Sequence, residues 1–282
     1  MGKKKIKKIA ITGGKGGTGK STFSVLLANK LIKQGHKVAL VDVDVECPND
    51  YLLLNQKLKE VAEFVYTKFP KIDKRKCRKC GLCVKSCKNN AIFQAPGKYP
   101  IFLSELCSGC GVCWLTCPYN AIRPQKVKTG RIFVNHFKED FWLITGQTNP
   151  GLEETGPAVA EVKKFALKFA EKENIDMVLF DTAAGMHCPV IQALMGVNFA
   201  YAVTEPTPMG AYDLRLILDL LQKLEIQTKI VLNQADLGDK EIIRKVADKY
   251  KTRIISTIPY SDSLANAYSN GQLLNFECNF QI

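Results

Sequence analysis

The sequence predicts an α/β protein, a mostly parallel β-sheet flanked by helices, with a small inserted α+β unit. Three observations lead to this fold class. Apolar segments typical of buried strands alternate with segments of helical periodicity along most of the 282 residues. A glycine-rich loop joins the first strand to the first helix. Eight of the eleven cysteines lie between Cys77 and Cys117, where the alternation stops.

The first strand–loop–helix unit carries a phosphate-binding loop. "IKKIAIT" predicts a buried strand and "KSTFSVLLANKLIKQ" an amphipathic helix, with the glycines between them. In this pattern backbone amides turn toward phosphate, Lys20 reaches the terminal phosphates, and Ser21 can ligate Mg²⁺. The surrounding strand and helix favour this interpretation over a chance glycine-rich turn. The predicted nucleotide-binding residues are Gly14, Lys15, Gly16, Gly17, Thr18, Gly19, Lys20, Ser21 and Thr22.

The elements that follow continue the α/β pattern on both sides of the cysteine-rich stretch. A second strand, "KVALVDVDV", ends in aspartates, and four more are predicted from "IDMVLFDTAAG", "FAYAVTEP", "TKIVLNQAD" and "TRIISTIPY". Helical periodicity appears in "GPAVAEVKKFALKFAEKE", "AYDLRLILDLLQKL" and "EIIRKVADKY". This order implies right-handed crossovers and ligands at the carboxyl ends of the strands. "KTGRIFVN" and "DFWLITG" predict a hairpin that returns the chain to the sheet.

The cysteine-rich stretch repeats itself. The runs that begin at Cys77 and Cys107 share the pattern C-x₂-C-G-x-C-x₃-C-x₂-N-A-I. Paired C-x₂-C units also suit zinc, but four ligands per zinc leave the third cysteine of each run and the repeat unexplained. The spacing resembles that of two-cluster bacterial ferredoxins, although Lys88 stands where those proteins have a proline. Residues 69–125 are therefore predicted to form an inserted domain, and residues 1–68 and 126–282 a discontinuous main domain.

The resemblance to ferredoxins implies two [4Fe–4S] clusters, each held by three cysteines of one run and the fourth of the other. The first cluster is expected on Cys77, Cys80, Cys83 and Cys117. The second is expected on Cys107, Cys110, Cys113 and Cys87.

The glycine-rich loop contains one lysine more than phosphate binding requires. "KGGTGKS" resembles the deviant Walker A motif of the MinD/ParA/nitrogenase-iron-protein superfamily of P-loop ATPases, in the group that carries an inserted two-cluster ferredoxin. The resemblance implies an ATP-dependent homodimer in which Lys15 crosses the interface to the partner's phosphates. A charge supplied in this way can stabilise the transferring phosphoryl group, so Lys15 and Lys20 are predicted catalytic residues.

The same resemblance extends to other motifs around the predicted site. In "VDVDVECPN", Asp44 is expected to orient the attacking water and Asp42 to lie near the Mg²⁺ shell, although the aspartate spacing leaves the catalytic role open to Asp42. In "FDTAAG", Asp181 is expected to hold Mg²⁺ through water, with Gly185 near the γ-phosphate. Asn233 in "VLNQAD" is a candidate contact to adenine.

Three cysteines lie outside the repeats. Cys188 has a spacing from Asp181 similar to that of a switch II cysteine in the nitrogenase iron protein, but the second cysteine of that protein has no evident match, and Cys47 is not its equivalent. A buried or resting thiol is the preferred interpretation of Cys188. Cys278 carries no functional argument.

Charge and hydropathy restrict the partners. The formal charge of +13 is concentrated in "MGKKKIKK" and "KIDKRKCRKC", which we interpret as a solvated tail and as counter-charge rather than as a nucleic-acid site. No stretch is apolar enough to span a membrane, and the lysine-rich start lacks the apolar segment of a signal peptide. These features predict a cytoplasmic protein.

The sequence therefore predicts a slow, partner-stimulated ATPase. Its cofactors are expected to be ATP, Mg²⁺ and two [4Fe–4S] clusters, and its partner a redox or metallocluster protein. We expect a dimeric switch that couples ATP turnover to electron transfer, because the complete eight-cysteine set favours stable redox clusters. The alternative is an ATP-dependent carrier or assembly factor for iron–sulfur or other metal clusters.

Overall fold

The computed structural model describes residues 6–138 and 140–276. Cys278 and the first five residues of the N-terminal lysine run lie outside this part of the chain. The strands are β1 Lys7–Thr12, β2 Val38–Asp42, β3 Val61–Ile72, β4 Ile92–Phe93, β5 Ile101–Phe102, β6 Ile122–Lys138, β7 Phe141–Thr148, β8 Met177–Asp181, β9 Phe199–Thr204, β10 Gln227–Asn233 and β11 Ile254–Ile258. The helices are α1 Lys20–Lys33, α2 Asp50–Leu53, α3 Leu82–Ser86, α4 Val112–Leu115, α5 Gly156–Lys172, α6 Cys188–Leu194, α7 Pro208–Lys223, α8 Lys240–Lys249 and α9 Asp262–Ser269, followed by a 3₁₀ turn at Leu273–Asn275.

The main sheet has nine strands in the order β11-β10-β9-β1-β8-β2-β7-β6-β3. All pairs from β11 to β7 are parallel, whereas β6 is antiparallel to both β7 and β3. This arrangement confirms the predicted fold class, and the β6–β7 pair confirms the predicted hairpin. β1, β2, β8 and β10 end at the same edge of the sheet, which brings the residues that follow them together.

Two layers of helices cover the sheet. Ile9 and Ile11 of β1 pack with α1 and α9 on one face, whereas Ala10 between them packs with α6, α7 and α8 on the other. Ala39 and Val41 of β2 face α5 on that second side. The strands are apolar on both faces because helices bury both of them, which explains the continuous apolar runs in the sequence.

The cysteine-rich unit is inserted between β3 and β6, the outermost pair of the sheet. It contains α3, α4 and the short β4–β5 hairpin, and its small core includes Cys83, Ile92, Cys113 and Ile122. β3 and β6 remain paired as far as Ile72 and Ile122, beyond the boundaries expected at residues 68 and 126. The two strands therefore form a ribbon that carries the inserted unit. The division of the chain into two domains stays a prediction.

Within residues 6–138 and 140–276, no helix is long and apolar enough to cross a bilayer.

Candidate functional site

A cleft of about 400 Å³ lies at the carboxyl edge of the sheet. The glycine-rich loop and the start of α1 form one side of it, and the turn between β11 and α9 forms the other. Its lining consists of Gly16, Gly17, Gly19, Lys20, Ser21, Thr22, Asp44, Asn49, Thr182, Ala184, Asn233, Gln234, Pro259, Tyr260, Ser261, Leu264, Ala265, Tyr268 and Ser269. One end is thus rich in loop amides and the other in tyrosine and aliphatic side chains.

The glycine-rich loop depends on glycine at a point of close approach. Gly19 has φ +88°, and a Cβ there would lie 2.2 Å from Nδ2 of Asn233. That amide nitrogen donates to the carbonyl of Thr18 at 3.1 Å and so ties the loop to β10. Gly19 is therefore required both by its left-handed backbone and by the packing of Asn233.

Lys20 begins α1 and is largely buried beneath the loop. Its ammonium donates to the carbonyl oxygen of Lys15 at 3.1 Å. Burial lowers the pKa of Lys20, and the nearby carboxylates of Asp181 and Asp44 act in the opposite direction. The side chain is a cation on the floor of the cleft, available to an anion placed above it.

Buried carboxylates lie directly below Ser21. Asp181 accepts hydrogen bonds from Ser21 Oγ at 2.5 Å and from Ser24 Oγ at 2.9 Å. Asp42 accepts from the backbone amides of Asn49 at 2.9 Å and Asp50 at 3.1 Å. Burial raises the pKa of Asp181 to about 6, and burial together with Asp181 raises that of Asp42 well above its ordinary value. The burial of these carboxyls so close together disfavours their ionised forms, which a bound cation would stabilise.

Asp50 completes this group and was not predicted from the sequence. It is fully buried at the start of α2, and neither of its carboxylate oxygens has a hydrogen-bond donor among the described residues. Burial and the carboxylates of Asp181 and Asp42 raise its pKa well above the ordinary value. Asp44, in contrast, lines the cleft; burial raises its pKa as well.

Lys15 lies apart from the cleft of its own chain. Its ammonium forms an ion pair with Oε1 of Glu205 at 2.5 Å, and the hydroxyl of Thr207 donates to the same oxygen at 3.0 Å. The Lys15 side chain is about one-third exposed, at 32%, and that of Glu205 is 15% exposed. Lys15 is therefore a partly exposed residue of the glycine-rich loop, and its ammonium contacts Glu205.

The eight cysteines of the inserted unit line two separate cavities, four to each. One cavity is bordered by Cys77, Cys80, Cys83 and Cys117, and the other by Cys87, Cys107, Cys110 and Cys113. Each set takes three cysteines from one run and the fourth from the other. In the first set the amides of Lys79 and Ala121 approach the sulfurs of Cys77 and Cys117, both at 3.4 Å.

The cysteine sets were also tested as sites for a single metal ion. No three Cys, His, Asp or Glu side chains of the described chain converge closely enough to hold one ion. Burial raises the pKa of Cys83, of Cys107 and, to about 12, of Cys113, so these thiols keep their protons unless a cation binds. In a [4Fe–4S] cluster each thiolate binds a different iron, so a cavity bordered by four thiols has the donor set that such a cluster requires.

A family match covers almost the whole chain. Residues 9–274 match the family described as CbiA, the CobQ/CobB/MinD/ParA nucleotide binding domain. The chain belongs to this family. The match confirms the predicted family, whose MinD/ParA members are ATPases, whereas the predicted group with an inserted ferredoxin stays a prediction.

Three individual similarities accompany the family match. The chain is 36% identical to an uncharacterized protein, MJ0579, of Methanocaldococcus jannaschii, over 94% of this chain and 90% of that protein. It is 24% identical to a protein of Rickettsia bellii named iron-sulfur cluster carrier protein, over 93% of this chain and 64% of that protein. The septum site-determining protein MinD of Pyrococcus horikoshii OT3, solved with Mg-ADP, superposes with a TM-score of 0.57 at 19% identity, over 95% of this chain and 86% of that one. This last likeness shows the shared fold.

The predicted site residues of this MinD/ParA-family chain fall into two groups. Those that line the cleft are Gly16, Gly17, Gly19, Lys20, Ser21, Thr22, Asp44 and Asn233. Those outside its lining are Gly14, Lys15, Thr18, Asp42, Asp181 and Gly185. Gly14 packs against Asp213 of α7, and the amide of Gly185 donates to the carbonyl of Gly13 at 3.1 Å. The roles assigned to both groups stay predictions.

The side of the cleft opposite the glycine-rich loop was not predicted from the sequence. Pro259, Tyr260 and Ser261 follow β11, and Leu264 and Tyr268 lie on α9. Ser261 caps α9, because its hydroxyl accepts from the amide of Leu264 at 3.3 Å. The position of this turn after a parallel strand was the available signal, since ligands bind at that edge of such sheets.

Residues 149–155, here called the linking loop, join the cleft to the second cysteine set. The hydroxyl of Thr155 donates to Oε1 of Glu46 at 2.7 Å, two residues from Asp44. At the preceding residue of the loop, Oε1 of Glu154 accepts a hydrogen bond from Nδ2 of Asn89 at 3.3 Å. Asn89 borders the cavity of the second set. A short chain of contacts thus runs from the nucleotide cleft to that cavity.

Proposed function

We propose that this MinD/ParA-family protein is a nucleotide-dependent dimeric switch that hydrolyses ATP and couples its turnover to electron transfer. The observation that supports this proposal is the presence of a phosphate-loop cleft and two four-cysteine cavities in one chain, joined by the linking loop. We also propose that residues 69–125 act as an inserted domain beside a nucleotide-binding domain of residues 1–68 and 126–282.

In the nucleotide step, the amides of Gly16, Gly17 and Gly19 and the ammonium of Lys20 would hold the phosphates of ATP. Ser21 would ligate Mg²⁺, and the buried carboxylates of Asp181 and Asp42 would hold its water ligands. The cation would also stabilise the ionised forms of these buried carboxyls. Thr18 and Thr22 would support the loop. Gly14 would let the loop pack closely against α7.

The remaining cleft residues take part in hydrolysis and base recognition. Asp44 lines the cleft and would orient the attacking water, while Gly185 would lie near the γ-phosphate. Asn233 would contact adenine, although one of its amide hydrogens already bonds to Thr18. Tyr260 and Tyr268 offer rings at the same end of the cleft, where a purine could stack.

Hydrolysis would depend on dimerisation through Lys15. The Lys15 side chain is partly exposed and lies outside the lining of its own cleft, so the phosphates that its ammonium would contact are at a position beyond that cleft. A second chain facing the cleft would supply that position, and Lys15 would add positive charge to the transferring phosphoryl group. Turnover would then be slow in the isolated protein and faster in the presence of a partner that favours the dimer.

The cysteine sets would hold two [4Fe–4S] clusters, on Cys77, Cys80, Cys83 and Cys117 and on Cys107, Cys110, Cys113 and Cys87. Such clusters, when bound, supply reversible one-electron transfer. The protein provides four thiols around each cavity and backbone amides that approach two of the sulfurs. These amides would stabilise thiolate charge, which is how a protein adjusts the affinity of such a site for electrons.

The alternative function is ATP-dependent carriage or assembly of an iron–sulfur or other metal centre. It is favoured by the similarity to a protein named iron-sulfur cluster carrier protein. Two complete sets of four thiols, partly buried in their own core, favour resident clusters instead.

The deciding experiment uses anaerobically reconstituted protein. We expect about eight irons and eight sulfides per chain and a cluster reduction potential that changes with MgATP relative to MgADP. Stoichiometric zinc without labile sulfide would contradict the redox proposal. Transfer of iron and sulfide to an apo-acceptor in the presence of ATP, with no change in potential, would establish the carrier function.

A further inference from the structure

We propose that the exposed surface around the first cysteine set is the docking site for an acidic electron-carrier protein. This surface, here called the basic face, consists of Lys74, Arg78, Lys79 and Lys98 with Tyr99. The inference names a partner for the redox function proposed above and rests on it.

The internal repeat reveals an asymmetry of charge. Residues 71–93, which contain the first run of cysteines, carry eight Lys or Arg and one Asp. The equivalent residues 101–123 of the second run carry one Glu and one Arg. If the positive charge only balanced bound clusters, both runs would need it, because both have the same four-thiol ligand set. The charge therefore requires another explanation, specific to the first run.

The residues of the basic face lie together in the fold. The ammonium groups of Lys79 and Lys74 lie 4.7 and 5.7 Å from the centre of the Tyr99 ring. Nε2 of Gln94 donates to the carbonyl of Lys79 at 3.2 Å and to that of Lys98 at 2.8 Å, which joins the cysteine loop to the turn after β4. Arg78 and Lys79 border the first cavity beside the exposed Cys80.

The charges of this face are free to meet a partner. All four basic side chains are exposed, and none forms an ion pair with a carboxylate within residues 6–138 and 140–276. The neighbouring Arg75 is different, since its guanidinium lies 3.6 Å from Asp73. Unpaired like charges held close together repel one another, so an anionic partner would relieve a cost that the isolated chain carries.

Exposed apolar residues adjoin the basic face. Phe93 and Ile101 are cross-strand partners in the β4–β5 hairpin, and they are 60% and 58% exposed. The same hairpin supplies Lys98 and Tyr99. A pair of exposed apolar side chains next to charged groups is typical of a protein interface rather than of a solvated surface.

An acidic redox protein fits these features better than nucleic acid does. The basic groups surround the exposed edge of a predicted cluster site, where a partner must approach closely to exchange an electron. Nucleic acid would use the charges but has no electron to give or accept there, and it would leave Phe93 and Ile101 uncovered. Positive charge would also steer an acidic carrier to this edge and raise its association rate.

The test measures binding of an acidic plant-type [2Fe–2S] ferredoxin to the full-length protein by calorimetry. The triple variant Lys74→Glu/Arg78→Glu/Lys79→Glu reverses the basic face. Lys168→Glu/Lys245→Glu/Lys249→Glu makes the same change in net charge on exposed parts of α5 and α8. Lys98→Glu alone tests the face at a residue outside the cysteine loop. Iron and sulfide are counted in every preparation, and a basic cytochrome c serves as the charge-inverted probe.

We expect the wild-type protein and the α5/α8 variant to bind the ferredoxin with the same affinity. The basic-face triple variant should bind it at least about tenfold more weakly, and Lys98→Glu should lose less affinity than the triple variant. Binding should weaken with added salt, and cytochrome c should not bind. Equal losses in the two triple variants, or no ferredoxin binding by wild type, would overturn the proposal. So would a DNA duplex that binds this face while the ferredoxin does not.

Iron analysis separates this inference from the function on which it rests. If the preparations lack iron and sulfide but the basic-face variant alone loses ferredoxin binding, the docking surface stands and the redox proposal fails. If the clusters are present and the two triple variants bind the ferredoxin equally, the redox proposal stands and the docking surface is wrong.

Discussion

Lys15 shows how one side chain can connect the single chain to the proposed dimer. In the described structure its ammonium is held by Glu205 at 2.5 Å. To reach the phosphates of a partner chain, Lys15 has to leave this carboxylate. Glu205 would therefore oppose dimerisation in the proposed dimer. The free energy needed to break this partly exposed ion pair is about 0.2–1 kcal/mol.

The first prediction concerns this competition. Lys15→Ala should bind ATP, because Lys20 and the loop amides remain, but should lose ATP-dependent dimerisation and most hydrolysis. Glu205→Gln should have the opposite effect and lower the ATP concentration needed for dimerisation up to about fivefold, since Lys15 is released. Light scattering with ATP and Mg²⁺ measures both. Lys164→Ala is the matched control, because this exposed lysine pairs with Glu161 at 3.5 Å, far along α5. A Lys15→Ala protein that dimerises like wild type would refute the role of this residue.

The second prediction concerns the buried carboxylate group. Burial raises the pKa values of Asp50, Asp42 and Asp181, so the folded chain keeps protons that the unfolded chain has already lost. The contribution of these carboxyls to the free energy of unfolding is fully present below their pKa in the unfolded chain, about 3.9. It is lost as the pH rises through their pKa values in the folded chain, about 6 for Asp181. Without Mg²⁺ or nucleotide, the protein should be less stable at about pH 8 than at about pH 5.

Asp50→Asn should reduce this dependence. The amide removes one charge from the group and can donate to Asp181, so the variant should unfold a few degrees higher than wild type at about pH 8 in EDTA, with a smaller gain at about pH 5. Thermal unfolding at both pH values measures the difference. Asp248→Asn, an exposed change on α8, is the control. If both substitutions shift the melting temperature equally, repulsion around Asp50 is not the cause.

Among the elements, the linking loop has the most to do with coupling. It begins after β7 and ends at Thr155, the residue before α5; Thr155 contacts Glu46 near the cleft, and Glu154 contacts Asn89 near the second cysteine set. The N-cap residue Thr155 makes no capping hydrogen bond, because its hydroxyl donates to Glu46 instead. A movement around Asp44 on nucleotide binding would therefore reach the loop through this partly buried hydrogen bond.

The third prediction is that Thr155→Val uncouples the two sites. Valine has nearly the shape of threonine and lacks the hydroxyl donor, so nucleotide affinity should stay within about twofold of wild type. In wild-type protein without iron–sulfur clusters, MgATP should change the alkylation rate of Cys107 relative to that of Cys77. In the variant, MgATP should leave this ratio of rates unchanged. Mass spectrometry of labelled peptides gives both rates. Thr252→Val, which removes a similar bond to Thr228 far from the loop, is the control. An unchanged response in Thr155→Val would exclude this route.

The elements also show which features a sequence can reveal. β8 ends at Asp181, and β2 ends at Asp42, the first of the aspartates in its predicted strand. Strands buried on both faces leave continuous apolar runs, and the polar residues mark their ends. β3 was not predicted, since this edge strand has mixed exposure and a partner far along the chain. The Lys15–Glu205 pair and the buried position of Asp50 depend on tertiary contacts between distant segments, so no local sequence pattern predicts them.

For the whole molecule, the β3–β6 ribbon decides how separable the inserted unit is. Ile72 and Ile122 are paired across the ribbon, and the amide of Asp73 donates to the carbonyl of Ala121 at 2.7 Å. The unit therefore leaves and re-enters the sheet at neighbouring points. Its own core, around Cys83 and Cys113, is distinct from the three cores of the main sheet.

The fourth prediction follows from this geometry. Replacing residues 74–120 with Asn-Gly would join Asp73 to Ala121 by a two-residue hairpin turn. The shortened protein should fold and bind MgATP with about wild-type affinity, but it should contain no iron. Calorimetry, circular dichroism and iron analysis measure these properties. A replacement with Gly-Gly at the same junction controls for the turn sequence. Failure of both shortened proteins to bind nucleotide would show that the inserted unit belongs to the main fold.

The paired ends of the ribbon also bear on how the protein is made and degraded. Closing a long loop costs conformational entropy, and in the folded chain the β3–β6 pairing holds the two ends of the cysteine-rich stretch together. The inserted unit can then open and close as a local event while the main sheet stays intact. In the metal-free protein, a protease should therefore cut first between Asp73 and Ala121. The two fragments would stay together, because strands on both sides of the cut remain paired in one sheet.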